Sequence, residues 1–257
     1  MKPIRKAVFP VAGMGTRFLP ATKVMPKELF PIVDRPLLQY AVDEALEAGI
    51  EQMIFVNGRG KGMIEDHFDM AYELEHTMAD RSKDRSVLDG TRFRPGDCVF
   101  VRQQEPLGLG HAIWCARDII GDEPFAIFLP DEFMVGSPGC MKQMVSAYER
   151  LGGNIVCALE IPIEDTSSYG VIDPGYRNGP ITEVKGLVEK PAAGTAPSNA
   201  MAQMIGKQPF HGMTFNGKRY DCGSKLGYVE ANLAMALAHP EIGSDIRVMA
   251  EKLLAQR

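Results

Sequence analysis

The chain carries near its amino terminus the sequence Val11-Ala12-Gly13-Met14-Gly15-Thr16-Arg17-Phe18-Leu19-Pro20, which continues directly as Ala21-Thr22-Lys23-Val24-Met25-Pro26-Lys27-Glu28-Leu29-Phe30-Pro31. An apolar run, residues 7–9, comes shortly before it and predicts a buried strand. A strand that ends in a glycine pair can bring backbone N–H groups close to an anion. Two cations, Arg17 and Lys27, stand further along at positions that suit a triphosphate. The stretch therefore predicts a loop laid over the phosphates of a nucleotide.

The commonest phosphate-binding loops do not fit this stretch. A dinucleotide fingerprint needs a third glycine where Phe18 stands, and the G-x-x-x-x-G-K-[ST] loop is absent. Pro20 and Pro26 also prevent an ordinary long helix. Gly13-Met14-Gly15 alone would favour a plain turn after a strand. The added cations and prolines favour a stiff loop that binds phosphate.

The composition narrows the range of functions. The chain has 257 residues, enough for one large domain, of which 45% are hydrophobic and 24% charged. The net charge is −5 without a basic stripe, so no nucleic-acid partner is expected. No apolar run reaches membrane-spanning length, so no membrane partner is expected either. The five cysteines are widely spaced without a C-x-x-C pair, which favours a reducing, cytoplasmic location over a disulfide framework or zinc.

Apolar runs and helical periodicities alternate along the chain. Strands are predicted at residues 7–11, 53–56, 98–103, 125–129, 155–161, 170–173, 182–189 and 212–215. Helices are predicted at residues 36–49, 62–78, 110–120, 141–151, 225–238 and 244–254. This alternation predicts an α/β fold of three layers, Rossmann-like, with a mixed, mostly parallel central sheet. Ligands of such sheets lie outside the carboxyl ends of the strands.

Several further motifs resemble those of one enzyme family, the sugar-1-phosphate nucleotidylyltransferases. After the opening stretch, the resemblance continues through Gly108-Leu109-Gly110-His111-Ala112, Leu129-Pro130-Asp131, Ser168-Tyr169-Gly170-Val171, Val188-Glu189-Lys190-Pro191, Ala196-Pro197-Ser198-Asn199 and Tyr220-Asp221-Cys222-Gly223. It covers nearly the whole chain in order. The opening motif is shared across the family, whereas the combination of Ala196–Asn199 with Asp221–Gly223 resembles its UTP–glucose branch.

The resemblance implies an activity and an organisation. The chain would transfer a uridylyl group from UTP to α-D-glucose 1-phosphate, giving UDP-glucose and pyrophosphate, with Mg²⁺ as cofactor. It would form one nucleotidyltransferase domain, 1–257, with a nucleotide-binding half at 1–135, a sugar-binding half at 136–224 and carboxy-terminal helices at 225–257. Assembly into a homo-oligomer, a dimer or a tetramer, is also expected. A thymidylyltransferase acting on a sugar 1-phosphate and a non-catalytic regulatory paralogue are the alternatives.

The resemblance also implies which residues bind the nucleotide. Arg17 would grip the β- and γ-phosphates and Lys27 the α-phosphate, both as catalytic residues. Gln103 would read the uracil imide, since an amide both donates and accepts, although a polar residue at a strand end needs no such role. The residues implied for the nucleotide are Ala12, Gly13, Gly15, Thr16, Arg17, Lys27, Gln103 and Gly108.

The resemblance implies that a second group of residues binds the metal and the sugar. Asp131 and Asp221 would be the metal pair, although aspartates are also common in turns. Gly170 and Glu189 would bind the sugar, and Lys190 would contact the sugar phosphate as a third catalytic residue. Without the family context, Glu189 and Lys190 would be taken as a surface ion pair before a turn.

The chain departs from the family at one place. After Ala196-Pro197-Ser198-Asn199 the family continues with a strand, a helix and an acidic Gly-Glu-Ile-Gln-Leu-Thr-Asp run. This chain continues directly with Ala200-Met201-Ala202-Gln203-Met204-Ile205, which resembles the family's sequence beyond that run. Several dozen residues are therefore expected to be missing relative to the family, on the side that binds the sugar.

Overall fold

The structure is a computed structural model that describes residues 1–189 and 200–256. The chain divides into two compact units. The larger unit comprises Arg5–Leu46, Ile50–Met134 and Arg219–Arg257, and the smaller comprises Met1–Ile4, Glu47–Gly49 and Val135–Lys218.

Strands and helices alternate along the chain. Within the described ranges the strands are β1 (Lys6–Val11), β2 (Pro31–Ile32), β3 (Arg35–Pro36), β4 (Gln52–Asn57), β5 (Cys98–Arg102), β6 (Phe125–Ile127), β7 (Glu132–Val135), β8 (Asn154–Cys157), β9 (Gly170–Asn178), β10 (Ile181–Glu189), β11 (Phe210–Met213) and β12 (Lys218–Asp221). The helices are α1 (Leu37–Glu47), α2 (Gly62–His67), α3 (Tyr72–Asp80), α4 (Leu109–Cys115), α5 (Arg117–Ile120), α6 (Cys140–Leu151), α7 (Ala200–Met204), α8 (Lys225–Ala238) and α9 (Gly243–Ala255). None of these helices is long and apolar enough to cross a membrane.

The larger unit is built on a parallel sheet with the strand order β5-β4-β1-β6. Between their end residues the central strands β1 and β4 are apolar, as expected for strands covered on both faces; Val8 and Ile54, for example, are completely buried. On one face these side chains pack against Ala112 and Ala116 from the α4–α5 region. The buried apolar strands predicted at residues 7–11 and 53–56 are confirmed.

A short two-stranded sheet, β7 with β12, forms a second part of the larger unit. Phe133 from β7 and Tyr220 from β12 are buried together with Ile32 and with Ala231 of α8. Neither strand was predicted from the sequence, because each has only four residues; β7 begins with a charged residue, and three of the four residues of β12 are charged. These two strands decide where the carboxylates described below are placed.

The smaller unit contains a mixed sheet with the order β8-β11-β10-β9. β8 and β11 are parallel, while β10 pairs antiparallel with both β11 and β9. Helix α6 packs against β8. The expected α/β fold with mostly parallel strands is confirmed. The strand predicted at 170–173 extends to Asn178, so that β9 and β10 form an antiparallel pair of nine-residue strands.

Two predicted helices are interrupted. The helix predicted at 62–78 is divided into α2 and α3, because Phe68 turns inward to stack on Phe55 with ring centroids 5.0 Å apart. The helix predicted at 110–120 is divided at Ala116, which is completely buried against the sheet. Pro36 belongs to β3 and helix α1 begins one residue later, at Leu37.

Candidate active site

Three of the predicted nucleotide-binding residues follow parallel strands at the same edge of the larger unit's sheet. Ala12 and Gly13 come directly after β1, and Gln103 comes directly after β5. The Gln103 N–H donates to the carbonyl of Asn57, the last residue of β4, at 2.8 Å. A methyl group on Gly58 would lie 2.9 Å from the Ala12 carbonyl oxygen, so glycine allows the two chain segments to approach.

Residues 12–31 form an irregular segment that we call the strap. Instead of a helix it has three 3₁₀ turns, Thr16–Phe18, Ala21–Lys23 and Lys27–Leu29, as the prolines predict. Gly15 has a φ of +64°, a conformation that favours glycine, and its carbonyl accepts from the Thr22 hydroxyl at 2.7 Å. Local hydrogen bonds thus hold the strap in its irregular path.

Aromatic side chains anchor the strap to helix α8. The ring of Tyr228 lies 5.8 Å from the rings of both Phe18 and Phe30, which make an edge-to-face contact with each other. The Tyr228 hydroxyl donates to the Pro31 carbonyl at 2.7 Å. Burial raises the pKa of this phenol. The first residues of α8 therefore help to set the position of the strap.

Gln103 and Gly108 lie next to each other. The Gln103 side-chain amide donates to the Gly108 carbonyl at 3.1 Å, and its nitrogen lies 3.1 Å from His111 Nδ1. Gly108 has a φ of +93°, so the backbone itself requires glycine here. The predicted pair is brought together, and His111 of α4 contacts the Gln103 side chain.

The short sheet of β7 and β12 brings the two predicted metal carboxylates together. Asp131 directly precedes β7 and Asp221 ends β12, and the Cys222 N–H donates to the Asp131 carbonyl at 2.8 Å. Arg219 of β12 holds Glu132 of β7 in a two-pronged ion pair, with Nη2 to Oε1 at 2.8 Å. Glu132 is thus a neighbour of the carboxylate site, engaged by an arginine.

Gly223 lies at the centre of this group, although it was not among the site residues predicted from the sequence. A methyl group on Gly223 would be 3.0 Å from both Asp131 Oδ2 and Asp221 Oδ1, and 3.4 Å from Arg17 Nη1. The two carboxylate oxygens are therefore no more than about 6 Å apart. Arg17 Nη1 also donates to the Gly223 carbonyl at 3.2 Å. In the sequence, Gly223 could have been included in the site as the last residue of the Asp221-Cys222-Gly223 motif.

Lys27 also belongs to the group of charged residues around Gly223. Its Nζ lies 2.5 Å from Asp131 Oδ2, and the two side chains are 20% and 32% exposed. Arg17, Lys27, Asp131 and Asp221, predicted from motifs up to 204 positions apart, thus converge on one place in the larger unit. Gly15 lies beside Lys27, since a methyl group added to it would be 3.4 Å from Lys27 Cβ, whereas Thr16 is exposed on the strap.

A buried ion pair lies behind Lys27, and it was not predicted from the sequence. Glu28 is 2% exposed and accepts from Lys61 Nζ at 2.8 Å; Lys61 is 8% exposed and directly precedes α2. Burial lowers the pKa of Lys61, while Glu28 opposes this shift by favouring the charged form. The pair ties the strap to the segment that follows β4.

The predicted sugar-binding residues belong to the smaller unit. Gly170 begins β9 and Glu189 ends β10, and the two are direct partners in the antiparallel pairing of these strands. Lys190 lies outside the described residues, as does Ala196-Pro197-Ser198-Asn199. The structure therefore brings Gly170 and Glu189 together at one end of a hairpin.

The carboxylates fit a magnesium ion in number and kind. Mg²⁺ in nucleotide-binding sites is held by one or two carboxylates, with waters and phosphate oxygens as its other ligands. Asp131 and Asp221 supply two such carboxylates. Within the described ranges no cluster of three or more His, Cys, Asp or Glu side chains could form a metal site made by protein alone. An ion here would therefore need further oxygens from a bound phosphate or water.

Comparison with known proteins places the chain among nucleotide-transferring enzymes. The Nucleotidyl transferase family matches residues 6–234. The UTP–glucose-1-phosphate uridylyltransferase of Komagataeibacter xylinus is 46% identical over 88% of this chain and 92% of the relative, and that of Bacillus subtilis is 41% identical over 99% and 98%. The UTP-bound UGPase of Acinetobacter baumannii has a TM-score of 0.88 at 36% identity, over 97% of this chain and 99% of that one.

The Bacillus subtilis relative also bears on the departure after Asn199. Its alignment spans 288 positions, so at least 31 of them have no residue in this chain of 257. The strap, the paired aspartates and near full-length similarity agree: the chain belongs to the nucleotidyl transferase family, among the UTP–glucose-1-phosphate uridylyltransferases.

Proposed function

We propose that this chain joins UTP and glucose 1-phosphate to form UDP-glucose and pyrophosphate, with the group around Gly223 as the place where charge is neutralised. A phosphate oxygen of the sugar phosphate attacks the α-phosphorus of UTP, and pyrophosphate leaves. The attacking oxygen is anionic near neutral pH, so the reaction needs no protein base. Catalysis then depends on aligning two polyanions and stabilising the charge of the transition state.

The cations of the strap suit this task. Arg17 offers a planar fork of donors, which favours the terminal phosphates of UTP, and Lys27 offers a point charge for the α-phosphate. Gly15 and Thr16 would add backbone donors along the same phosphates. The buried Glu28–Lys61 pair lies next to Lys27 in the strap and would fix the backbone there, so that only the Lys27 side chain has to change partner when substrate binds. A preorganised cation stabilises a transition state without reorganisation at the moment of reaction.

Magnesium is the cofactor we propose, with Asp131 and Asp221 as its protein ligands. When bound, Mg²⁺ would neutralise phosphate charge and orient the reacting groups. Asp131 would exchange its contact with Lys27 for the ion, so that Lys27 turns its charge toward the nucleotide. Asp221 Oδ1 accepts from the Gly223 N–H at 3.0 Å, which holds this carboxylate in position.

Recognition of the base and the sugar completes the proposal. Gln103, held by Gly108 and beside His111, would pair with the imide edge of uracil, and Ala12 and Gly13 would contact the base and ribose through their backbone. Glu189 would accept from sugar hydroxyls, Gly170 would offer its backbone, and Lys190 would bind the sugar phosphate. The homologues at 41–46% identity carry the uridylyltransferase name, so thymidylyl transfer is not favoured.

The convergence of Arg17, Lys27, Asp131 and Asp221 around Gly223 carries the proposal, because a non-catalytic paralogue has no need to retain all four. The experiment is release of pyrophosphate from UTP or dTTP with glucose 1-phosphate, with Mg²⁺ or with a chelator. Turnover that requires both UTP and Mg²⁺, and that falls by about 10²–10³ in Arg17→Ala, is expected. Tight UTP binding without turnover would favour a regulatory paralogue instead.

Self-association is a further part of the proposal, and the site would work in a cytoplasmic homo-oligomer, a dimer or a tetramer. Leu226, Val229 and Leu233 on α8 are 80%, 59% and 49% exposed at helical spacing, which gives an apolar stripe of the kind that forms interfaces. Light scattering coupled to gel filtration tests this point. The double change Leu226→Glu with Leu233→Glu should shift the mass toward the monomer; an unchanged mass would exclude this stripe as the interface.

A further inference from the structure

Two cysteines of the smaller unit lie close to each other. Cys140 is the first residue of α6 and Cys157 is the last residue of β8, and their sulfur atoms are 3.7 Å apart. A disulfide bond is about 2.05 Å long, so the two sulfurs would have to approach by about 1.7 Å to bond. No sequence motif predicts this pairing, because 16 residues separate the two cysteines and neither belongs to a C-x-x-C motif.

The other three cysteines, all within the described ranges, have different surroundings. Burial raises the pKa of the Cys98 thiol to about 12, so it stays protonated at neutral pH. Cys115 lies 3.9 Å from His111 Nε2, across one turn of α4, and Cys222 is buried beside Asp221. Since the thiolate is the reactive form, Cys98 is a poor substrate for oxidants. The paired sulfurs of Cys140 and Cys157 set this site apart.

We propose that Cys140 and Cys157 form a reversible disulfide when the protein meets a peroxide. Cys140 is 4% exposed, whereas Cys157 is only partly buried, so Cys157 is the sulfur that a small oxidant reaches first. This inference concerns the smaller unit and does not depend on the proposed transferase reaction.

Hydrogen peroxide is the oxidant that would convert the two thiols to a disulfide. The Cys157 thiolate attacks the peroxide, the O–O bond breaks, and a sulfenic acid and hydroxide form. The Cys140 thiolate then attacks the sulfenic sulfur, so that the S–S bond forms and the S–O bond breaks, with hydroxide as leaving group. The two thiol protons convert the hydroxides to water. Two thiols and one peroxide thus give one disulfide and two waters, and a dithiol reductant reverses the modification.

The bond would join two elements that already pack together. Helix α6 packs on β8, and Cys157 pairs in register with Met213 of β11, the neighbouring strand of the mixed sheet. A covalent link from the start of α6 to the end of β8 closes a loop of 18 residues. Such a link restricts the unfolded chain, so the oxidised protein should be harder to unfold. A rise of about 6–12 °C in Tm is expected for a chain of this size.

The test is mass spectrometry of the full-length chain after hydrogen peroxide, with free thiols then blocked by iodoacetamide. A cross-linked peptide containing residues 140 and 157 is expected, with three of the five cysteines alkylated and all five after dithiothreitol. Cys140→Ser and Cys157→Ser should each abolish the cross-link. Cys98→Ser and Cys115→Ser are matched controls that should keep it.

Thermal unfolding supplies a second measurement. The peroxide-dependent rise in Tm should be present in the unaltered chain and in Cys115→Ser, and absent in Cys157→Ser, whose partly exposed position tolerates a small polar residue. Five alkylated cysteines after peroxide would overturn the proposal. So would a cross-link through another cysteine, an irreversible sulfinic acid at Cys157 with Cys140 still alkylated, or a rise in Tm that persists in Cys157→Ser.

Discussion

Lys27 Nζ lies 2.5 Å from Asp131 Oδ2, so the cation of the strap and the carboxylate that follows the parallel sheet neutralise each other. The two residues are 104 positions apart and would act on different parts of one substrate complex. Binding of a metal–nucleotide complex would replace one ion pair by two contacts: Lys27 with phosphate and Asp131 with the ion. In the proposed reaction the pair would couple the uptake of metal to the release of the lysine.

Replacing Lys27 by alanine should lower kcat by about 10²–10³, because a preorganised donor to the transition state is lost. The measurement is steady-state pyrophosphate release at saturating UTP and glucose 1-phosphate. Lys23→Ala is the matched control, since Lys23 is an exposed lysine of the same strap. Equal turnover in both variants would contradict the role of Lys27.

Replacing Gly223 by alanine should lower the affinity for Mg²⁺ and leave the fold unchanged. The added methyl group would be 3.0 Å from an oxygen of Asp131 and from one of Asp221, and both carboxylates must then shift. Changes around metal ligands commonly cost about 10- to 100-fold in metal affinity. The Mg²⁺ concentration for half-maximal turnover should rise accordingly, and Mn²⁺ binding followed by electron paramagnetic resonance should weaken in parallel.

Gly62→Ala is the control for this change, because a methyl group on Gly62 meets no atom within 4 Å. It should leave both metal measurements unaltered. If Gly223→Ala kept the Mg²⁺ dependence of the unaltered chain, Asp131 and Asp221 could not be the metal pair.

Much of the fold could be predicted from sequence because its signals are local. The apolar runs of β1 and β4 and the periodicity of α8 need no knowledge of the rest of the chain. The break between α2 and α3 was missed, since helical periodicity continues through Phe68 while its ring stacks on a strand. β7 and β12 were missed for a similar reason: each is stable only because it pairs with the other.

The candidate site likewise combines motifs that are visible in the sequence with contacts that form only in the folded chain. Arg17, Lys27, Asp131 and Asp221 stand in motifs that can be read along the chain, and the structure brings them together. The contact of Arg17 with the Gly223 carbonyl, and the pairing of Glu28 with Lys61, join residues 206 and 33 positions apart. Such pairs are properties of the folded chain, and a single sequence carries no local sign of them.

Removing only one partner of the Glu28–Lys61 pair should lower the free energy of unfolding substantially. Lys61→Met leaves a carboxylate that is 2% exposed without its cation, and losing one partner of a buried pair costs about 3–5 kcal/mol of unfolding free energy. The double variant Lys61→Met with Glu28→Gln removes both charges and should recover a large part of this loss. Urea unfolding followed by circular dichroism measures all three proteins.

An exposed ion pair provides the comparison for that experiment. Arg35 and Asp43 are 2.6 Å apart but 47% and 31% exposed, so Arg35→Met should cost no more than about 1 kcal/mol. If Lys61→Met lowered the free energy of unfolding by no more than Arg35→Met does, the buried pair could not be what holds the strap in place.

His67 should make stability depend on pH below neutrality. Burial lowers the pKa of His67 from its ordinary value of 6.5, and Nε2 lies 3.2 Å from the Gln39 side-chain oxygen. Above pH 6.5 the imidazole is neutral in both the folded and the unfolded chain, so the stabilisation is fully present. Below it, the unfolded chain takes up a proton that the folded chain resists, and the free energy of unfolding falls until the pH passes the folded-state pKa.

The measurement is urea unfolding at several pH values between about 5 and 7.5, comparing the unaltered chain with His67→Gln. The slope contributed by this one group cannot exceed about 1.4 kcal/mol per pH unit, and it should disappear in the variant. His76→Gln, at an exposed histidine of α3, is the matched control and should retain the slope. If His67→Gln kept the full pH dependence, another group would have to titrate on unfolding, and burial of His67 would not be its cause.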